Sequence, residues 1–229
     1  MFTQTVDLAK TSVRELNQRL HELDAERDEQ RWRILNPCGA HAIACGLRVP
    51  VTVEIEGHAG YYCAGMNQKA TVIVHGNVAT GVAENMMSGI VHVHGNASQS
   101  AGATAHGGLL VVEEDASARC GISMKGIDIV IKGSVGHMSA FMAQTGNLIV
   151  CGDAGDALGD SIYEARLFVR GKVKSLGTDC IEKEMRPEHL QLLETLLERA
   201  GSDARPEEFR RYGSARKLYH FQIDHASLY

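Results

Sequence analysis

Written in rows of nineteen, the chain falls into columns of like residues. Four places before a recurring glycine stand Val53, Val72, Val91, Leu110, Ile129, Leu148 and Leu167. Two places before it stand Ile55, Val74, Val93, Val112, Ile131, Val150 and Val169. Both columns are wholly aliphatic, and a spacing of two puts them on one face of a strand. The marker column holds Gly57, Gly76, Gly95, Gly133, Gly152 and Gly171, with Glu114 in the remaining place. One place later come His58, Asn77, Asn96, Asp115, Ser134, Asp153 and Lys172, mostly turn formers. Seven places after the marker only Ala or Gly occurs, at Ala64, Ala83, Gly102, Gly121, Ala140 and Gly159. Something packs tightly there.

A fixed period of this kind marks a solenoid. Each coil supplies a strand, a turn and a crowded return path, and coils stack at the ~4.8 Å strand spacing. The pattern predicts an all-β solenoid of about seven to eight 19-residue coils, with helical caps at both ends. Ile34, Cys38, Ala40 and Cys45 fall on the inward, marker, small and Ala/Gly columns, which would start the solenoid near residue 33. The expected organisation is an N-terminal helical cap over 1–32, the β-helix over 33–180, and a C-terminal helical segment with a docking tail over 181–229.

Solenoids must hide their open ends. Val13, Leu16, Leu20 and Leu23 share one face of a helix within 11–29. Pro187 starts a second helix, Leu190, Leu193 and Leu197 form its stripe, and Gly201 ends it. The tail carries Leu218, Tyr219, Phe221, Ile223, Leu228 and Tyr229, and a tail that apolar should dock on something.

The outward columns hold the candidate chemistry. One place before the marker stand Glu56, His75, His94, Glu113, Lys132, Cys151 and Arg170. His75, His92 and His94 are within reach of one another and are a candidate zinc cluster, but a solvated polar ladder accounts for the column, and no metal is expected. Three places before the marker stand Glu54, Ile73, His92, Val111, Val130, Ile149 and Phe168. Ile73, Val111, Val130, Ile149 and Phe168 would form an outward apolar strip too large for a bare surface. Either a terminal segment or a partner covers it. With Leu218, Tyr219 and Phe221, these are the candidate partner-contact residues.

Composition narrows the classes. The 229 residues carry a net charge of −5 with both signs mixed, so no basic stripe suggests a nucleic-acid partner. No apolar run has the length of a membrane span, and MFTQTVDLAK lacks the order of a signal peptide, so the cytoplasm is expected. The six cysteines form no CxxC pair, which argues against a zinc or iron–sulfur cage and for packed thiols. No GxGxxG opens a helix after a strand. No catalytic, cofactor-binding or metal-binding residue is assigned to the chain.

The glycines Gly76, Gly81, Gly89, Gly95, Gly102 and Gly108 within these coils, and the entry stretch NPCGAHAIACGLRVPVTVEIEGHAG, resemble the GXGXG domain. That domain ends the glutamate synthase large subunit and recurs in one subunit of formylmethanofuran dehydrogenase. The resemblance covers roughly residues 33–180 and implies a right-handed β-helix. The amidotransferase domain and FMN-binding barrel of glutamate synthase are missing here. That arrangement is similar to the split enzymes of the family, such as N-methylglutamate synthase (methylamine–glutamate N-methyltransferase), in which the parts are separate subunits. The resemblance implies a hetero-oligomer in which this chain is a non-catalytic scaffold. Its expected partners are an amidotransferase-like subunit and an FMN-binding glutamate synthase-like subunit. FMN and an iron–sulfur cluster would belong to the latter, with no cofactor in this chain. An alternative is the β-helix subunit of a formylmethanofuran dehydrogenase-like complex. A stand-alone enzyme on a left-handed β-helix is disfavoured, because those coils run in hexapeptide units and this period has no such sub-period.

Overall fold

The computed structural model describes residues 4–24 and 30–218. The chain opens with β1 (Gln4–Asp7), α1 (Val13–His21) and β2 (Gln30–Leu35). The coil strands follow as β3 (Val51–Ile55), β4 (Thr71–Val74), β5 (Ile90–Val93), β6 (Leu109–Val112), β7 (Lys125–Ile131), β8 (Thr145–Val150) and β9 (Arg166–Val169). Last come β10 (Cys180–Lys183), α2 (Pro187–Arg199) and β11 (Arg210–Ser214). Strands β1 to β9 pair in parallel, each with the next. β11 then pairs antiparallel with β9, and β10 with β11, so the repeating direction stops there. A parallel ladder can grow indefinitely, and an antiparallel closing pair ends it.

The period of nineteen is a register. Val53 lies opposite Val72, Val72 opposite Val91, and the ladder continues to Leu167 without slipping. Every member of both aliphatic columns is fully buried. A second parallel ladder of single bridges joins Ala59, Val78, Ala97, Ala116, Val135, Ala154 and Val173. Between the two runs the polar column one place after the marker. There each side chain from His58 to Asp153 accepts the backbone N–H of the next coil, as from Asn96 N to Asn77 Oδ1 at 2.8 Å and from Ser134 N to Asp115 Oδ1 at 2.7 Å. Turn-forming side chains thus tie coil to coil.

The marker glycines answer to close approach. A Cβ on Gly152 would lie 2.7 Å from the backbone of Gly133, and one on Gly133 2.7 Å from that of Glu114. The Ala/Gly column has a different cause. In the six coils that carry this column three alternating residues take positive φ, such as Tyr62, Ala64 and Met66, and the column seven after the marker supplies the middle one. Left-handed backbone strains any residue with a Cβ, and the middle positions are buried as well. A Cβ on Gly159 would meet Cys180 Sγ at 2.7 Å and Leu167 Cδ1 at 2.9 Å.

An eighth coil precedes the seven, with a different spacing. Ile34 pairs with Ile55, a step of 21 (55 − 34), so it faces the second inward column rather than the first. Ala44, with φ +57, takes the place expected for Cys45. α1 docks on this coil: Leu16 and Leu20 are buried in the core, Asn17 donates to the carbonyl of Ala42 and accepts from Ala44 N, and His21 meets the carbonyl of Cys45. Ser12 caps α1 in a reciprocal pair with Glu15. The second helix does its covering on the side of the solenoid. Leu193, Leu196 and Leu197 of α2, with Ala200 and Phe209, pack on Leu109, Val111, Val130, Ile149 and Phe168.

Candidate functional site

That packing decides the fate of the outward strip. Val111, Val130, Ile149 and Phe168 are buried beneath the chain's own α2, so they offer no free partner surface. The cover comes from residues 187–209, ahead of the tail. Ile73 is half-buried, beyond this cluster, and Leu218 is exposed. Tyr219 and Phe221, with Ile223, Leu228 and Tyr229, lie outside the described residues.

What stays accessible on the strand face is its N-terminal half, and that half is charged. Outward residues of one coil meet those of the next on the diagonal. Arg31 donates to Glu54, and Arg33 Nε to Glu56 at 2.7 Å. His75 Nε2 lies 3.2 Å from the other Glu54 oxygen. Two coils on, His92 Nε2 contacts Glu113 Oε1 at 2.5 Å, and Lys132 Nζ lies 2.8 Å from Glu113 Oε2. Between these clusters His94 stacks on His75 at 5.0 Å and on His92 at 4.5 Å between ring centroids. The strip is continuous because parallel, in-register strands bring like columns to adjacent positions.

Charge state follows from these contacts. Burial works to raise the Glu54 pKa, but hydrogen bonds from Arg31 and His75 outweigh it, leaving the carboxyl below its ordinary value. Glu113 behaves alike, with Lys132 and His92 outweighing burial. His94 is lowered, first by burial and then by the neighbouring His92 and His75. It is therefore biased toward the neutral imidazole.

The thiols take no part in this strip's chemistry. Cys45, Cys63, Cys120, Cys151 and Cys180 are buried, and Cys38 is exposed. Burial pushes the Cys45 thiol up to about 11 and those of Cys120 and Cys180 up to about 12, far from a reactive thiolate. Cys63, also beside Cys45, is raised too. The sequence reading of packed small groups holds for these buried residues. A cavity of about 400 Å³ lies beside α1, lined by Leu20, His21, Gly46, Arg48, Val49, Met66 and Gln68. His21 Nε2 is engaged there by the carbonyl of Cys45 at 2.7 Å.

Sequence reasoning grouped His75, His92 and His94. The structure groups His92 and His94 with Glu113 instead, and sets His75 with Glu54 and Glu56. Glu113 was legible as the next member of the His94 column, nineteen residues on (113 − 94).

No family model matches the chain. Protein GlxC of Rhizobium meliloti (strain 1021) is 63% identical to it over 225 residues, which is 98% of this chain and 99% of that protein.

Proposed function

This chain belongs to the GlxC family, and on that premise we propose that it is a non-catalytic scaffold subunit of a multi-subunit glutamate synthase-like enzyme. The observation that carries this reading is the solenoid itself. Its interior is filled coil after coil by aliphatic side chains, and its return path is crowded to Ala and Gly. Such a body offers long, rigid faces in place of a catalytic cleft. The resemblance of residues 33–180 to the GXGXG domain supplies the enzyme class. The FMN-binding barrel and amidotransferase-like parts are then separate subunits, and FMN and an iron–sulfur cluster belong to the barrel subunit. The reaction proposed is that of N-methylglutamate synthase, which converts methylamine and L-glutamate to N-methyl-L-glutamate and ammonia.

Reconstitution tests this. The two partner chains would be purified without this one and assayed for N-methylglutamate formed from methylamine and glutamate. Turnover should rise at least tenfold when this chain is added, while the chain alone stays inactive and colourless. Full turnover without it would reject the scaffold role. A stoichiometric flavin bound to the isolated chain would also overturn it.

A further inference from the structure

The strip holds a donor set that a scaffold has no use for. His92 and His94 lie two apart, at and just beyond the end of β5, and Glu113 follows β6 one coil later. One ligand atom from each lies within 4.8 Å of the other two. We infer that His92, His94 and Glu113 form a binding site for one divalent transition-metal ion of the zinc class, a site independent of the scaffold role.

Donor chemistry selects the ion. Two imidazole nitrogens and one carboxylate oxygen suit zinc and its neighbours, whereas magnesium and calcium take sets of oxygen. Around a tetrahedral zinc with bonds of ~2.0–2.1 Å, donor atoms lie roughly 3.3 Å apart. Small rotations of these side chains, none of them fully buried, bring the three to that spacing. In the contact between His92 Nε2 and Glu113 Oε1 the ion takes the place of the shared proton.

The surroundings orient the set. Lys132 Nζ holds Glu113 Oε2 at 2.8 Å and is itself anchored on the carbonyl of Gly201 at 2.9 Å. That leaves Oε1 for the ion and fixes the plane of the carboxylate, the usual task of an outer-shell partner. With three protein ligands, the fourth position is open to water or to a donor from another molecule.

A second triad competes on paper. Glu54, Glu56 and His75 are equally close together. Two guanidinium groups, those of Arg31 and Arg33, already hold its carboxylates and oppose a cation at short range. The first triad faces one ammonium, so the ion is assigned there.

The test is a titration of the metal-free full chain with zinc, followed by calorimetry, and with cobalt(II), followed by its visible absorption. One ion per chain is expected, with cobalt bands of a four-coordinate centre. His94→Ala and Glu113→Gln should each weaken zinc binding at least tenfold, and His75→Ala should leave it unchanged. Zinc should also raise the melting temperature of the parent chain and not that of His94→Ala. This arm keeps the outcome readable if a variant is less stable. No stoichiometric uptake, uptake indifferent to both ligand substitutions, or uptake abolished by His75→Ala alone would overturn the assignment.

Discussion

On β6 to β9 the outward column reads Val111, Val130, Ile149 and Phe168, and α2 lies on it. On β3 to β5 the same column reads Glu54, Ile73 and His92, Glu54 pairs with Arg31 and His75 and His92 with Glu113, and the adjoining His75 and His94 are exposed. The inward columns keep one register through both halves, although β7 and β8 are longer and a bulge shifts their pairing between Lys125 and Asp128. The interior is the same in both. The difference teaches that the repeat specifies the inside of a solenoid and leaves the outside free. Four apolar residues in one column are enough to recruit a helix. Charged ones leave the face open to other molecules.

The largest expected effect breaks this contrast directly. Val130→Glu places a charge beneath α2 with no partner, and should cost the isolated chain about 3–5 kcal/mol. Ile73→Glu makes the same change in the same column on the open half, and should cost below about 1 kcal/mol. Denaturant unfolding of the two variants measures the difference. Equal losses would mean that the two halves are not differently covered.

A smaller effect probes what both halves share. Gly159→Val combines left-handed backbone with contacts below 3.0 Å to Cys180 and Leu167. It should cost roughly 3 kcal/mol, from strain and overpacking together. At Gly121 a Cβ would meet Met124 Sδ at 3.3 Å and Ile129 Cδ1 at 3.4 Å, and those ends can give. Gly121→Val should therefore cost less, roughly 2 kcal/mol, mostly from backbone strain. The order of the two midpoints checks the argument, and a reversed order would contradict it.

The smallest effect concerns the charges of the open half. The folded pKa of Glu54 lies below its ordinary 4.5, so the carboxylate contributes stability above that pH. The contribution fades as pH falls through the folded value. Glu54→Gln should lower the melting temperature modestly at pH 7, and the gap from the parent should close as pH falls from 4.5 through that lowered value. A gap independent of pH would assign the loss to packing rather than to the ion pairs with Arg31 and His75.

Much of this was legible in the sequence, for a physical reason. Nineteen-residue spacing survives because in-register parallel pairing forces like residues onto like positions, so columns of Val, Ile and Leu announce the interior. The Ala/Gly column announced crowding, but not the left-handed backbone that shares in causing it at Ala64, Ala83 and Ala140. The eighth coil was misaligned because its steps of 21 and 20 residues break the arithmetic of nineteen at Ile34 and Ala44. The placement of α2 was not legible either. Leu193 and Leu197 show that the helix has a face to bury, and only the folded chain shows that it buries it on Val130 and Phe168. The antiparallel closure by β10 and β11 left no repeat to read. His92 and His94 stand together in sequence and Glu113 is the next member of the His94 column, but that these three group together without His75 shows only in the stacked coils.

The central claim is that this chain works as one subunit of a larger flavoenzyme. Native mass spectrometry of the assembly purified through a tag on this chain, from the cells that make it, tests that most directly. The account predicts a stoichiometric complex of three different chains, one amidotransferase-like and one an FMN-binding barrel, with flavin leaving only with the latter. A chain that emerges alone, as copies of itself, or bound to molybdenum- or tungsten-enzyme subunits would contradict it.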